Sequence, residues 1–456
     1  MLTAEQNDRL TRVGPGTPTG ELMRRYWHPI AAVAMMNDRS TKPIRLLGED
    51  LILYKSKQGV FGLVDNYCPH RRMGMVYGIP TDEGIRCPYH GWMFDETGRC
   101  LEQPYEETEA PDNRFKDKVR IKAYPLEVKA GLIFAYLGPS PVPLLPSWDV
   151  FSIDGVVRDI GYTELPCNWL QCQENSLDPV HSEWLHGEWG NYVAIMNGQG
   201  DKVRARYENV RIGFDKFQYG IIKRRLVKGG DYDDPEWAQG HPIVFPYFLR
   251  QGGSGIALDS WKDPGDTPGI ARGVGPSFQI RVPLDDHRTG HWWVMCHPKV
   301  SPDDPDQRDE DIPLFHPPLI QLKEDGRVRF EILDSNSAQD VAAWITQGLI
   351  ADRTGEHLGR SDKGVIMFRR MLEEQIRIVE DGGDPINTFR DPERNVYLGM
   401  DTEHWSKRAE LGGGQAFAFE RQGMASKYSP IMNQRGVEGG EDADERNKEI
   451  AQEVAR

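Results

Sequence analysis

Two cysteines and two histidines lie close together in a chain that otherwise uses cysteine sparingly. The stretch CPHRRMGMVYGIPTDEGIRCPYHGW contains a C-x-H pair, Cys68 and His70, followed by a C-x-x-H pair, Cys87 and His90. Thiolates and imidazoles are the side chains that bind zinc and iron-sulfur clusters. The spacing therefore predicts a metal site held by two neighbouring loops.

Two kinds of metal site fit these four side chains. A structural Cys2His2 zinc site usually takes both cysteines from one element and both histidines from another, whereas each loop here offers one of each. The mixed arrangement favours a [2Fe-2S] cluster in which two cysteines bind one iron and two histidines bind the other. Neutral imidazoles in place of two thiolates remove negative charge and raise the reduction potential of such a cluster.

The paired motif resembles that of Rieske iron-sulfur proteins, and C-P-H-R with C-P-Y-H-G-W resembles the version in ring-hydroxylating oxygenases. This resemblance implies that the two Cys/His pairs hold a Rieske [2Fe-2S] cluster. It also implies that three neighbours pack around the cluster without binding it: Arg71, Gly91 and Trp92.

A second set of polar residues lies in CNWLQCQENSLDPVHSEWLHGEWG, where Asn175, Asp178, His181 and His186 form N-x-x-D-x-x-H-x4-H. The pattern is similar to the mononuclear-iron motif of the same oxygenases. Two histidines and one carboxylate make a facial triad that leaves positions on Fe(II) open for O2 and substrate. A single histidine would more simply be a buried core residue, but the two together, downstream of the first motif, favour iron binding.

The five-residue step between the two histidines does not place them on one face of a regular α-helix. We therefore expect a local irregularity between His181 and His186. Pro179 disfavours helical geometry at the residue before it, and Gly187 is expected to end the helix.

The third iron ligand has to be a carboxylate from a distant part of the chain. The segment SAQDVAAWITQGLIADRTGEHLGRSDKG resembles the C-terminal helix of phthalate dioxygenase-like oxygenases, which assigns this role to Asp340. Ser337 allows a helix-capping arrangement as the alternative. The other carboxylates considered are Glu331, Asp334 and Asp352. Residues 352–357 are expected to support the site as scaffold.

Asp178 has a separate role by the same resemblance, which implies that it links His181 to a cluster histidine of a neighbouring subunit. A carboxylate that accepts N–H groups from two imidazoles would fix both rings. The alternative is an aspartate that starts a helix beside Pro179.

Composition narrows the class of protein. The chain has 456 residues and a formal charge of −15, without a basic stripe that could bind nucleic acid. No signal-peptide pattern or long apolar run is present, which predicts a cytoplasmic protein with no membrane association. The remaining cysteines are expected to be buried thiols: Cys100, Cys167, Cys172 and Cys296.

The strand and helix patterns predict an α+β protein with two main domains. Short alternating strands over 43–137 indicate an antiparallel β domain, and later strands mixed with helices near 168–186, 337–351 and 363–380 indicate an antiparallel sheet backed by helices. The expected parts are an N-terminal segment, the Rieske domain, the catalytic iron domain and a charged tail: 1–26, 27–140, 141–435 and 436–456. Residues 229–275 are expected to form a loop over the pocket.

The resemblance, which covers about residues 27–372, also implies an activity and partners. It implies O2 activation with NAD(P)H electrons from a separate flavin and ferredoxin-type reductase, in a homotrimer or stacked trimers. We favour O-demethylation of a methoxylated aromatic acid, such as a lignin-derived biaryl. The alternatives are cis-dihydroxylation of an aromatic carboxylate such as a phthalate, and a non-catalytic Rieske electron carrier.

An acidic substrate would need a cation in its pocket. Three arginines lie in the region expected to wall that pocket: Arg204, Arg224 and Arg250. A surface or salt-bridge position is the simpler interpretation for each.

Overall fold

The computed structural model describes the chain in segments: residues 2–111, 114–200, 203, 208–251, 276–298, 305–316, 329–333 and 335–400. Arg204, about half of the predicted pocket loop (252–275) and the predicted C-terminal tail lie outside these residues.

The first part of the chain folds into short antiparallel strands, as predicted. These are β1 (Trp27–Ala32), β2 (Thr41–Leu46), β3 (Glu49–Lys55), β4 (Phe61–Asp65), β5 (Ile79–Pro80), β6 (Ile85–Arg86), β7 (Met93–Phe94), β8 (Cys100–Glu102), β9 (Ala123–Tyr124), β10 (Leu126–Lys129) and β11 (Leu132–Tyr136). They pair in the orders β1-β11-β10, β2-β3-β4-β9 and β5-β6-β7-β8. The loops that carry the Cys/His pairs follow β4 and β6.

Two-residue turns set the register of two of these hairpins. Leu47 and Gly48 connect β2 to β3 with positive φ angles of 48° and 78°, and Ala130 and Gly131 connect β10 to β11 with 52° and 75°. Positive φ at both central residues is the type I′ geometry, whose twist matches that of paired strands.

The second part of the chain is built on a sheet whose strand order is β13-β14-β15-β16-β17-β18-β12-β19. Its strands are β12 (Val156–Leu165), β13 (Asn209–Phe217), β14 (Gly220–Val227), β15 (His241–Val244), β16 (Phe248–Gln251), β17 (Ser277–Asp285), β18 (Arg288–Pro298) and β19 (Leu314–Phe315). Every pair is antiparallel except β12 with β19, which is parallel. The predicted antiparallel sheet is therefore confirmed apart from this edge strand.

Helices flank both sheet systems. The α-helices are α1 (Ala4–Thr11), α2 (Pro18–Met23), α3 (Pro104–Glu109), α4 (Asp149–Ser152), α5 (Trp169–Ser176), α6 (Gly190–Met196), α7 (Pro235–Ala238), α8 (Asn336–Ile345) and α9 (Lys363–Glu380). A π-helix, Ser182–Trp189, lies between α5 and α6. Single 3-10 turns are Val33–Met36, Met75–Tyr77, Phe115–Lys118, Asp309–Asp311, Phe330–Ile332, Arg360–Asp362 and Pro392–Arg394.

Two expectations about these elements need correction. The expected loop over 229–275 contains α7, β15 and β16, which are too short and too interrupted by proline to give a clear alternating pattern. Helix α8 ends at Ile345 and not near 351, because Gly348 with φ of 91° lies just beyond it. Helix α9 begins and ends where predicted.

One apolar core joins the two parts of the molecule. Buried side chains such as Trp27 and Phe134 from the N-terminal strands share a cluster with Phe245 of the large sheet and Phe368 of α9. Burial of this size is the main stabilising term in folding. The exact domain boundaries stay a prediction. Within the described part of the chain, every helix is too short or too polar to serve as a bilayer span.

Candidate metal centres

The two loops that carry the Cys/His pairs have the same backbone geometry. The Cys68 N–H donates to the Met73 carbonyl at 2.9 Å, and the Cys87 N–H donates to the Trp92 carbonyl at 2.8 Å. In each loop the residue four positions after the cysteine has positive φ, 60° at Arg72 and 76° at Gly91. The two Cys/His pairs are therefore carried by turns of the same kind.

The four side chains are arranged as two unlike pairs. Cys68 and Cys87 are buried and their thiols interact, whereas His70 is exposed and its ring lies 4.4 Å from that of His90. The His70 ring stacks on Trp92 at 4.2 Å, which fixes its orientation. Two thiols at the buried end and two imidazoles at the outer end match the ligands of two different irons.

This arrangement fits a cluster better than a single zinc ion. Among the described residues, the group of three or more donors close enough to hold one ion is His181, His186 and Asp340, and the four Cys/His side chains do not form such a group. A Cys2His2 zinc site needs all four donors within about 2.0–2.3 Å of one ion. Burial raises the pKa of the Cys68 thiol to about 12, so cluster assembly has to displace a proton there.

The predicted irregularity between His181 and His186 is a π-helix. Asp178 lies just before this helix, and its Oδ1 accepts the Val180 N–H at 2.7 Å, which fixes the turn that leads into the helix. The wider i→i+5 turn of Ser182–Trp189 brings residues five apart onto one face, as π-bulges often do at functional sites. Gly187 lies inside this segment and does not end the helix as expected.

The π-helix and α8 bring three of the predicted residues together. The donor atoms of His181, His186 and Asp340 all lie within 4.8 Å of one another. Asp340 Oδ1 is 3.2 Å from His186 Nε2 and 3.7 Å from His181 Nε2. Donors at right angles around an ion about 2.1 Å away are about 3 Å apart, so the three side chains fit one metal ion in a facial arrangement.

Asp340 is held as a carboxylate. Burial opposes the charged form, but the imidazoles of His186 and His181 outweigh burial and lower the pKa of Asp340. Asn175 Nδ2 donates to the same oxygen, Oδ1, at 3.3 Å. Asn175 therefore contacts the three-residue group of His181, His186 and Asp340 through its hydrogen bond to Asp340.

Asp178 lies at the helix start and also faces His181, while its link to a cluster histidine of a neighbouring subunit stays a prediction. One oxygen, Oδ1, accepts backbone N–H groups of Val180 and His181 at the helix start. The other, Oδ2, is 3.7 Å from His181 Nδ1, an ion-pair separation longer than a hydrogen bond. Asp178 can therefore orient the His181 ring from the side opposite the metal position.

Gln339 fixes the orientation of the His186 ring. This residue was not identified from the sequence. Its Nε2 donates to the Leu333 carbonyl at 3.0 Å, so its Oε1 faces His186 Nδ1 at 3.0 Å and accepts the proton there. With Nδ1 protonated, a neutral His186 presents a lone pair at Nε2 toward Asp340. Nε2 lies 3.2 Å from Asp340 Oδ1, so a cation is needed between the two atoms: the proton of an imidazolium when no metal is bound, or the metal ion in its place.

Replacing Gln339 with leucine is expected to weaken iron binding. The Gln339→Leu variant loses the acceptor that selects the His186 tautomer, and loss of such a partner costs about 10- to 100-fold in metal affinity. The apparent affinity for Fe(II) can be measured by anaerobic titration against a chelator. Gln347→Leu, an exposed glutamine just past the same helix, is the control, and equal affinity in both variants would contradict this role for Gln339.

The remaining carboxylate candidates contribute nothing to this group within the described residues. Asp352 is exposed and bonds Thr354, and His357 is also exposed. Asp334 and the Glu331 side chain lie outside the described residues.

A buried ion-pair network connects α5 to residues that follow α8. This is consistent with the expectation that residues 352–357 act as scaffold. Arg353 pairs with Glu174 at 2.7 Å, and Arg369 pairs with Glu174 at 2.6 Å and also with Glu356. Glu174 precedes Asn175, so this network holds the helix that reaches Asp340.

The two described arginines proposed for the pocket form salt bridges. Arg250 is fully buried against Asp149 at 2.9 Å, and Arg224 pairs with Asp215 at 2.6 Å. The salt-bridge interpretation is confirmed for both.

Together these features define a protein with a two-iron cluster site near its N-terminus and a separate three-donor iron site. Two family models match the chain: the Rieske [2Fe-2S] domain over residues 26–125 and the LigXa C-terminal domain like family over residues 324–397.

Similar proteins of known activity cover most of the chain. It is 41% identical over 406 residues to the 5,5'-dehydrodivanillate O-demethylase oxygenase subunit of Sphingobium sp. strain NBRC 103272 / SYK-6, covering 89% of this chain and 87% of that protein. It is 28% identical to the phthalate 4,5-dioxygenase oxygenase subunit of Pseudomonas putida, covering 85% and 89%. The solved structure of Pseudomonas putida CBB5 NdmA shares the fold, with a TM-score of 0.56, 18% identity, and coverage of 80% and 94%.

The chain belongs to the Rieske non-heme iron oxygenases and is the oxygenase component of such a system. Its cofactors are a Rieske [2Fe-2S] cluster and a mononuclear iron. Oxygenase components of this kind receive their electrons from a separate reductase or ferredoxin.

Proposed function

We propose that this oxygenase removes the methyl group of a methoxylated aromatic acid, and that a biaryl such as 5,5'-dehydrodivanillate is the first substrate to test. The observation that carries the proposal is the 41% identity to an oxygenase subunit named for that O-demethylation, over nearly nine tenths of both chains. The 28% identity to the phthalate dioxygenase subunit gives weaker support to ring cis-dihydroxylation.

We propose the following ligands for the two centres. The Rieske cluster is held by the two Cys/His pairs, Cys68 with His70 and Cys87 with His90. The mononuclear iron is held by three side chains: His181, His186 and Asp340. The donor distances and the buried carboxylate described above support this assignment.

The mononuclear iron, when bound, supplies activation of O2. In the net reaction, O2, two electrons and two protons hydroxylate the methyl carbon and release water. The resulting hemiacetal breaks its C–O bond to give a phenol and formaldehyde. Asn175 holds Asp340 through Oδ1, Gln339 sets the proton of His186, and Asp178 orients His181.

The experiment combines substrate-dependent O2 uptake with product analysis, using NAD(P)H and a surrogate flavin and ferredoxin-type reductase. O-Demethylation predicts one formaldehyde for each O2 consumed. A cis-diol product without formaldehyde would establish the dioxygenase alternative. No O2 uptake with any aromatic acid, from protein loaded with both cofactors, would contradict oxygenase activity toward this class.

We further propose that the protein works as a homotrimer, alone or stacked, in which the cluster of one subunit meets the iron of the next. Such a heterologous ring closes by ordinary rotational symmetry. His70 is exposed and the Asp178 side chain is 31% exposed, which leaves both available to a neighbouring subunit. Sedimentation analysis tests the assembly, and a stable, active monomer would contradict it.

Asp178→Asn is expected to slow turnover by about 10- to 100-fold, the usual cost of losing a partner of a metal-binding histidine. The variant keeps the size of the side chain but loses the charge that faces His181. Single-turnover oxidation of the reduced cluster measures the electron transfer directly. Asp352→Asn serves as the control, and wild-type electron transfer in Asp178→Asn would contradict the linking role.

A further inference from the structure

One face of the large sheet carries buried polar groups that have no partner among the described residues. Arg281 on β17 is 1% exposed, and its Nη2 donates to Gln279 at 2.8 Å. Its Nε and Nη1 atoms have no hydrogen-bond partner in the described part of the chain. Burying an unpaired charge is costly, so this guanidinium needs an explanation.

Three further side chains share this feature and surround Arg281. They are all at most 2% exposed, and their ring nitrogens find no partner among the residues described here: His291, Trp293 and Trp344. We call these three residues and Arg281 the donor cluster.

The β-sheet register and the ring contacts place the donor cluster in one location. Arg281 lies directly opposite His291 in the β17–β18 pair, and Trp293 lies two residues further along the same face. The His291 ring is 4.0 Å from that of Trp293 and 5.5 Å from that of Trp344. The Arg281 guanidinium lies 5.7 Å over the Trp344 ring.

The donor cluster adjoins the proposed iron site. Trp344 is four residues after Asp340 on α8, which is about 6 Å along a helix. Arg281 and Asp340 also interact electrostatically. A group bound at the donor cluster would therefore lie next to the proposed iron site.

The chemistry of the donor cluster selects the type of ligand. Burial lowers the pKa of Arg281 to about 10, so the side chain is still a cation at neutral pH. Indole N–H groups only donate, and a guanidinium only donates. Burial lowers the pKa of His291 well below its usual value, so this neutral ring adds one donor or one acceptor. An anion with several acceptor atoms suits the cation and the two indole N–H groups best, and a carboxylate is such an anion.

We propose that the donor cluster binds the carboxylate of the aromatic acid and so places its ring beside the iron. The inference rests on the proposed function in naming that acid as substrate. The two described arginines suggested by the sequence do not provide this cation, since Arg250 and Arg224 are engaged by Asp149 and Asp215.

The test measures binding of 4-hydroxy-3-methoxybenzoate and of its methyl ester to the anaerobic, metal-loaded protein by calorimetry. Wild type is expected to prefer the acid, and Arg281→Met to bind the acid roughly 10- to 100-fold more weakly with the ester unchanged, the usual range for a hydrogen bond to a charged group. The affinity of Arg281→Lys for the acid should lie between those of wild type and Arg281→Met. Equal binding of the acid by wild type and Arg281→Met, or no preference for the acid in wild type, would mean that the donors bind only buried water.

Thermal unfolding of the unliganded protein separates binding from a structural role. Because Nε and Nη1 of Arg281 have no partner among the described residues, Arg281→Met is expected to unfold at or above the wild-type temperature. Arg250→Met is the matched control and should unfold several degrees lower, since it leaves Asp149 buried without its cation. An equal drop in both variants would overturn the proposal.

Formaldehyde release distinguishes this inference from the proposed function. If wild type binds the acid through Arg281 but releases no formaldehyde from any methoxylated acid, O-demethylation fails and the carboxylate subsite stands. If formaldehyde is released but the affinity for the acid is the same in wild type and Arg281→Met, the carboxylate subsite is wrong and the proposed function stands.

Discussion

Replacing Asp340 with alanine is expected to abolish O2-dependent turnover while the cluster stays intact. Asp340 is the carboxylate that lies 3.2 Å from His186 Nε2 and 3.7 Å from His181 Nε2. Without it two histidines are left, which is one ligand short of the facial triad that holds Fe(II). Iron content should fall from three ions per chain to two, the visible spectrum of the cluster should be unchanged, and O2 uptake should fall to the level seen without oxygenase.

Asp352→Ala is the control for this variant, because Asp352 was a competing carboxylate and is exposed. It should keep all three irons and wild-type turnover. Full iron content in Asp340→Ala, or loss of the mononuclear iron in Asp352→Ala, would show that the ligand set is wrong.

Cys87→Ser is expected to remove the other centre and to stop turnover by a different route. Cys87 is buried beside Cys68, where a thiolate would bind the inner iron of the cluster. Iron content should fall from three ions per chain to one, and the visible colour should disappear. The mononuclear site should still bind Fe(II) but receive no electrons. The unfolding temperature should also fall, because cluster binding contributes to folding.

Cys100→Ala is the matched control for this variant. Cys100 is buried in the same apolar cluster as Cys68 and Cys87 but lies on β8, away from the two loops. It should keep the colour and all three irons. A coloured Cys87→Ser protein, or a colourless Cys100→Ala protein, would contradict the assignment of the cluster ligands.

The proposed cluster ligands could be predicted from the sequence because each pair is local. Each Cys/His pair lies within one tight turn, so spacing alone identifies the four residues. The sequence could not show that the two cysteines are buried and the two histidines face outward. That difference depends on packing against residues such as Trp92, which stacks on His70.

The mononuclear site was predictable only in part. The five-residue step between His181 and His186 required an irregular helix, but periodicity does not distinguish a π-helix from a helix that ends at Gly187. The role of Asp340 came from a resemblance, since a contact between residues 181 and 340 leaves no local pattern. The role of Gln339 was missed because the orientation of its amide depends on a hydrogen bond to the Leu333 carbonyl, and that contact leaves no sequence pattern.

The pocket arginine was the largest omission. Arg281 stands in an alternating strand, where a charged residue is expected to face solvent. In the fold this face is covered by α8 with its Trp344, and no carboxylate among the described residues accepts a hydrogen bond from the buried Arg281 side chain. Sequence alone does not tell a paired arginine from an unpaired one.

Iron counting on anaerobically purified wild-type protein, combined with EPR of its nitric oxide adduct, tests the central claim of two separate iron centres in one chain. Three irons per chain and an Fe(II)-nitrosyl signal are predicted, with the signal lost in His181→Ala and His186→Ala. Two irons per chain without a nitrosyl signal would instead indicate a Rieske electron carrier, and a colourless protein containing zinc would contradict both centres.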